Sequence, residues 1–268
     1  ALAKAENPVV SRRKPALRQM GVDEIHLGKK QKFLTVVCNL ETGEPLWFGA
    51  DRKKESLDNF FREEVSQRQR RRIEAACVDM WEAYRLSIEQ WSPQCRIVYD
   101  KFHVMRHLGD ALDEVRKSEY RRLSGQDRSY IKGQKYTLLS RRENLTLKGH
   151  QALKKVLMAN KRLNTAYLLR ESFGQLWDYE REGWARRFFE NWRASLKWQR
   201  LKPYEKFAEM IDRHWDGIAA HCRPENKVSL GFVEGLNNKI RVIQRRAYGL
   251  RNENYLRLKI LTCMLPAL

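Results

Sequence analysis

Apolar residues fall in short blocks over the first hundred positions and at helical spacing over most of the rest. Met20-Gly-Val-Asp-Glu-Ile-His-Leu27 predicts a short strand. Phe33 to Leu40, rich in Val and Thr, predicts a second, and Pro45 to Ala50 a third. Lys29 to Lys32 reads as a basic turn, and Glu41 to Glu44 as a turn with Gly43 suited to positive φ. Such short connections predict an antiparallel meander. Leu57, Phe60, Phe61 and Val65 then make one helical stripe. Two further apolar runs stop on Asp79 and on Asp100, separated by a helix from Met80 to Gln90 and a stop at Ser92-Pro93. Short strands flanking one helix predict parallel pairing through a crossover.

From Lys101 to about Glu225 the pattern is helical nearly throughout, with amphipathic runs at Phe102–Lys117, Gln151–Leu157, Leu163–Phe173 and Tyr204–Ala219. A last helix is expected from about Phe232 to Ala247, burying Leu236, Ile240, Ile243 and Ala247 and ended by Gly249. The order β-β-β-α-β-α-β admits one arrangement of particular interest. If the fourth strand lies parallel beside the first, Asp23 and Asp79 become neighbours. That is the strand order 3-2-1-4-5 of the ribonuclease H-like fold. The expected class is therefore α/β: a mixed five-stranded sheet with a large all-α insertion before the last helix. The expected divisions are a basic linker or arm over 1–18, the first part of the core over 19–104, a helical insertion over 105–229, and C-terminal helices completing the core over 230–268.

In an open α/β sheet, chemistry gathers beyond the carboxyl ends of the strands. Asp79 and Asp100 stand there, although each also suits a helix N-cap. Asp23 alone reads equally well as a solvated strand residue, with Glu24 facing the other way. Glu234, in the first turn of the last helix, reads equally well as a partner of the helix dipole. Together Asp23, Asp79 and Glu234 are the carboxylates a two-metal phosphoryl-transfer site needs. Mg²⁺ prefers such oxygens and keeps waters for phosphates to replace.

Charge narrows the classes of partner. The formal net charge is +20, which points first to nucleic acid and next to an anionic membrane surface. No apolar run approaches a membrane span, and the first residues lack the apolar core of a signal peptide. Five scattered cysteines without a Cys-x-x-Cys pair read as reduced core residues of an intracellular protein. The missing initiator Met reads as a piece of something longer. His214, His221 and Cys222 raise a metal site, but two turns of one helix separate the histidines, so structural roles are favoured. Trp177, Trp184, Trp192, Trp198 and Trp215 read as a helical core or as platforms for unpaired bases. The run Arg68–Arg72 and the basic stretch 118–148 suit phosphates or solvated helix ends and loops. Asn237, Asn238, Lys239, Arg241, Arg245 and Arg246 crowd the outer face of the last helix, a density suited to DNA. Arg52, Lys53 and Arg106 are the remaining candidate DNA contacts.

Five segments taken together carry a resemblance: Val22-Asp-Glu24, Val78-Asp-Met-Trp-Glu-Ala-Tyr84, Asp100-Lys-Phe-His-Val104, Val233-Glu-Gly-Leu-Asn-Asn-Lys-Ile240 and Arg245-Arg-Ala-Tyr-Gly-Leu-Arg-Asn252. In this order they resemble the ISL3 family of bacterial insertion-sequence transposases, from about Val22 to Lys259. The resemblance implies a DDE transposase with a ribonuclease H-like core. It implies Asp23, Asp79 and Glu234 as catalytic and metal-binding triad, with two Mg²⁺ ions for which Mn²⁺ can substitute. Asp100 and His103 match an Asp-x-x-His pair with a supporting role. Transposon-end and target double-stranded DNA would be the partners, bound by a homodimer or larger assembly in the bacterial cytoplasm at the nucleoid, with no membrane. The chain departs from the family in lacking an N-terminal zinc ribbon and helix-turn-helix, and in having Leu230-Gly231 where Asn-Gly is common. A structure-selective endonuclease of the same fold, or a non-catalytic DNA-binding derivative, are the alternatives.

Overall fold

A computed structural model describes residues 16–26, 33–140, 142–223 and 231–246, with 255, 258, 259 and 262. Most of the expected arm, the turn at Lys29–Lys32 and the stop at Gly249 lie outside the described residues.

Among the described residues the strands form one five-stranded sheet, β3-β2-β1-β4-β5. The strands are β1 (Gln19–His26), β2 (Phe33–Asn39), β3 (Pro45–Ala50), β4 (Ala75–Val78) and β5 (Arg96–Tyr99). β1 to β3 are the antiparallel meander; β4 pairs parallel with β1, and β5 parallel with β4. This is the ribonuclease H-like order expected from the sequence. β4 reads Ala-Ala-Cys-Val and is buried at every position. Small and β-branched residues suit a central parallel strand covered on both faces.

Three helices lie within this part: α1 (Lys54–Glu63), α2 (Gln67–Arg70) and α3 (Glu82–Trp91). α1 buries Leu57, Phe60 and Phe61, the expected stripe. Ser66 and Gln69 form a capping box that starts α2.

After β5 the described chain is helical: α4 (Lys101–Arg122), α5 (Gly125–Ile131), α6 (Lys135–Leu139), α7 (Leu147–Ala159), α8 (Lys161–Phe173), α9 (Glu182–Ser195), α10 (Lys202–Arg213), α11 (Trp215–Ala219) and α12 (Gly231–Arg246). At 1.5 Å per residue, α4 runs about 33 Å from the sheet edge. Val104, Leu108, Leu112 and Val115 make its buried face, so one apolar core continues from the sheet into the helices.

Three expectations need correction. The solvated-loop alternative for 118–148 gives way, among the described residues, to the end of α4 followed by short helices joined by turns. The run Tyr204–Ala219 is not one helix. It breaks at His214, where α11 turns its backbone onto the Tyr99 ring; a Cβ on Gly217 would come within 2.5 Å of that ring. His214 and His221 therefore do not share a helix. His214 meets the Tyr99 hydroxyl at 3.3 Å, and His221 stands edge-on to Trp177. The tryptophans divide: 177, 192 and 215 are buried, whereas 184 and 198 are exposed.

Candidate active site

The site forms at the carboxyl ends of β4 and β5, beside the middle of β1, which runs on to His26. β1 and β4 run in register to Val22 and Val78, so the next residues, Asp23 and Asp79, are side by side. β4 and β5 run in register to Val78 and Tyr99, which brings Asp100 to the same edge. β4 and β5 thus stop just before Asp79 and Asp100, and β1 carries Asp23 within its length beside them.

The three carboxyl groups have different surroundings. Asp100 is buried and caps α4, accepting from the Phe102 and His103 amides at 3.1 and 3.4 Å. Its cap role is real, and the same Oδ2 also meets His103 Nδ1 at 3.2 Å. Asp79 is not a helix cap, because Trp81 holds that place on α3. Its Oδ1 accepts from the Met80 amide at 2.6 Å. Asp23 is 7% exposed and takes three contacts: the Glu24 amide at 2.8 Å, Asn237 Nδ2 at 2.6 Å and His103 Nε2 at 3.9 Å.

Charge follows from these contacts. Burial pushes the Asp23 carboxyl above the ordinary range, and nearby Asp79 adds to it; the Glu24 amide, His103 and Asn237 pull the other way. Burial alone would keep His103 neutral. Its hydrogen bond to Asp100 and the charges of Asp79, Asp23 and Asp100 outweigh that and raise its pKa. His103 thus spans two of the three aspartates from the first turn of α4.

Glu24 points to the other face, as the strand period requires. There it meets Arg52 at 3.1 Å. The Arg52 guanidinium lies 4.2 Å from the Phe33 ring centroid and 4.3 Å from that of Trp81, whose indole donates to the Arg52 carbonyl. Arg52, grouped by sequence with the DNA contacts, is thus clamped between two rings beside the Asp79 turn. Neither ring is near it in sequence, so no local pattern announced the stack.

Glu234 falls in the first turn of α12, and its side chain lies outside the described residues. Asn237, one turn further on, departs from the outer face assigned to it by sequence. It is 4% exposed and faces Asp23. The available signal was its i, i+3 relation to fully buried Ile240. Asn238, Lys239, Arg241, Arg245 and Arg246 do form an exposed outer face, as expected. Arg106 is exposed on α4, and exposed Lys53 lies 3.7 Å from Asp51.

Two adjacent carboxylates, one raised in pKa by its buried position and its neighbour's charge, are a donor set that suits a hard divalent cation. Among the described residues no group of three His, Cys, Asp or Glu side chains forms a metal site. No described helix is long and apolar enough to cross a membrane.

The family profile described as a transposase, DDE type of the ISL3 group, matches residues 20–260. The chain is 37% identical over 248 residues to the transposase for insertion sequence element IS1001 of Bordetella parapertussis, covering 91% of this chain and 60% of that protein. It is 25% identical over 259 residues to the transposase for insertion sequence element IS1557 of Mycobacterium tuberculosis, covering 88% of this chain and 57% of that protein. The chain thus spans about three fifths of the length of these curated relatives. No solved structure matches it significantly. The chain, with its three aspartates on adjoining strands or just past their ends, belongs to the ISL3 family of DDE transposases.

Proposed function

We propose that this chain is the catalytic region of an insertion-sequence transposase, cutting a DNA strand at the element's end and joining the freed 3′-hydroxyl to target DNA. The observation that carries the reading is the parallel register of β1 and β4, which sets Asp23 beside Asp79. The bond from Asn237 to Asp23 supports it further, because it draws the helix bearing Glu234 to the same place.

Asp23, Asp79 and Glu234 would hold two Mg²⁺ ions, which supply activation of the attacking oxygen and stabilisation of the leaving one. The remaining work falls to the chain itself. Asn237 and the Glu24 amide fix the Asp23 carboxylate from two sides. Asp100 orients the His103 ring, which presents Nε2 towards Asp23 and, when protonated, brings positive charge to an anionic cluster. The outer face of α12 and Arg106 offer cations to the phosphate backbone.

Asp79→Asn should abolish strand cleavage and leave DNA binding nearly intact. Cleavage at the parent rate would sink the assignment. Joining of a 3′-hydroxyl end to target DNA separates a transposase from an endonuclease of the same fold, which would release cut strands only.

A further inference from the structure

Trp198 is the most exposed large apolar residue among those described, at 85%. An isolated exposed aromatic is ordinary on a protein surface, but this one has unusual surroundings. Its backbone has φ of 78°, and Arg200 has φ of 53°. Bulky residues avoid that region, so the turn after α9 holds the indole outward at a conformational cost. Lys197 Nζ lies 5.2 Å from the Trp198 ring centroid.

A cleft of about 330 Å³ opens beside this turn, lined by Gln199, Arg122, Lys161, Arg162 and Thr165 among others. Arg162 Nη2 donates to the Arg200 carbonyl at 2.7 Å and so ties the turn to the cleft. The acid here, Glu119, is fully buried beneath Arg122, Arg162 and Asn160. Lys161, Lys197, Arg200 and Lys202 are all exposed around it. A flat aromatic face, a nucleotide-sized cleft and an excess of cations therefore adjoin one another.

We infer that Trp198 stacks on an unpaired DNA base whose phosphate enters the cleft of Arg122, Lys161 and Arg162. Base stacking on an aromatic ring with cations along the backbone is how unpaired strands are held without reading their sequence. The cleft lies at the far end of α4 from His103, about 28 Å along the helix. It is therefore a second contact, separate from the strand ends where cleavage is proposed. The inference rests on the reading of the chain as a DNA-processing transposase.

The test is fluorescence anisotropy of the whole chain with labelled single-stranded and duplex oligonucleotides of equal length. Trp198→Gly suits a positive φ, so the fold is retained while the ring is lost. It should weaken single-strand binding about tenfold or more and change duplex binding less than about twofold. Trp198→Phe should restore most of the single-strand affinity. Unchanged single-strand binding by Trp198→Gly, or equal loss for both DNA forms, would overturn the inference. A parent chain that binds neither form would overturn it together with the DNA-processing reading. Lost cleavage in Asp79→Asn bears on that reading alone.

Discussion

Asn237 donates its side-chain amide to Asp23 at 2.6 Å across the junction of α12 and β1. The two residues are remote in sequence, and both are buried. The bond has two consequences: it holds α12 against β1, the central strand, and orients one carboxylate of the proposed triad.

Asn237→Ala should therefore destabilise the protein by about 1–3 kcal/mol, because it leaves a buried carboxylate oxygen without its donor. Asn237→Asp should do worse, since it sets a second carboxylate against one already raised in pKa. Thermal unfolding of both variants checks the order. Equal melting temperatures would mean that the docking of α12 does not depend on this bond.

Acid should weaken the helical region through Glu119. Burial opposes its ionisation, but hydrogen bonds from Arg122 and Asn160 and the charges of Arg122 and Arg162 outweigh that and hold its carboxyl below the ordinary 4.5. A carboxyl with a depressed folded-state pKa lends stability that is present above its unfolded pKa and lost as pH falls through the folded one. The loss should appear below about pH 4.5. Glu119→Gln should cost about 1–3 kcal/mol at neutral pH and flatten the acid limb of the stability curve. A parent-like acid limb in Glu119→Gln would assign that limb to other carboxyls.

How far the sequence exposed this architecture depends on the range of the interaction. The ends of β4 and β5 were legible because their apolar runs stop on aspartates, and the observed strand order was one arrangement that the chain order admitted. The cap role of Asp100 and the exposed cations of α12 were legible from local pattern. Asn237 was misassigned because a helical stripe has an edge, and polar residues on that edge can turn inward when a partner waits there. The Arg52 stack needed Phe33 and Trp81, which only tertiary folding brings together. The break at His214 came from α11 meeting Tyr99, a contact invisible in an amphipathic pattern that runs through it.

Strand β3 carries a close approach of its own. Trp47 and Gly49 share a face, and a Cβ on Gly49 would lie within 2.6 Å of three atoms of the Trp47 ring. The ring is 5% exposed and packs 6.0 Å from Phe60, so it has little room to yield. Gly49→Ala should destabilise by about 1–3 kcal/mol through overpacking. In a double-mutant cycle with Trp47→Leu the two costs should fail to add, since the smaller side chain frees the space. Additive costs would mean that Gly49 is required for another reason.

The turn at Trp198 predicts opposed effects on stability and binding. A left-handed conformation costs an L-residue about 1–2 kcal/mol, and glycine adopts it freely. Trp198→Ala keeps that cost, whereas Trp198→Gly removes it. The Gly variant should therefore be more stable than the Ala variant by about 1 kcal/mol, or about 2–4 °C in melting temperature for a chain of this size. Both should lose single-strand affinity alike, because both lack the ring. A Gly variant no more stable than the Ala variant would show that the turn is relaxed. The outward hold on the indole would then owe nothing to the backbone. If stability rises while binding falls, the strained turn is kept for the ring it presents.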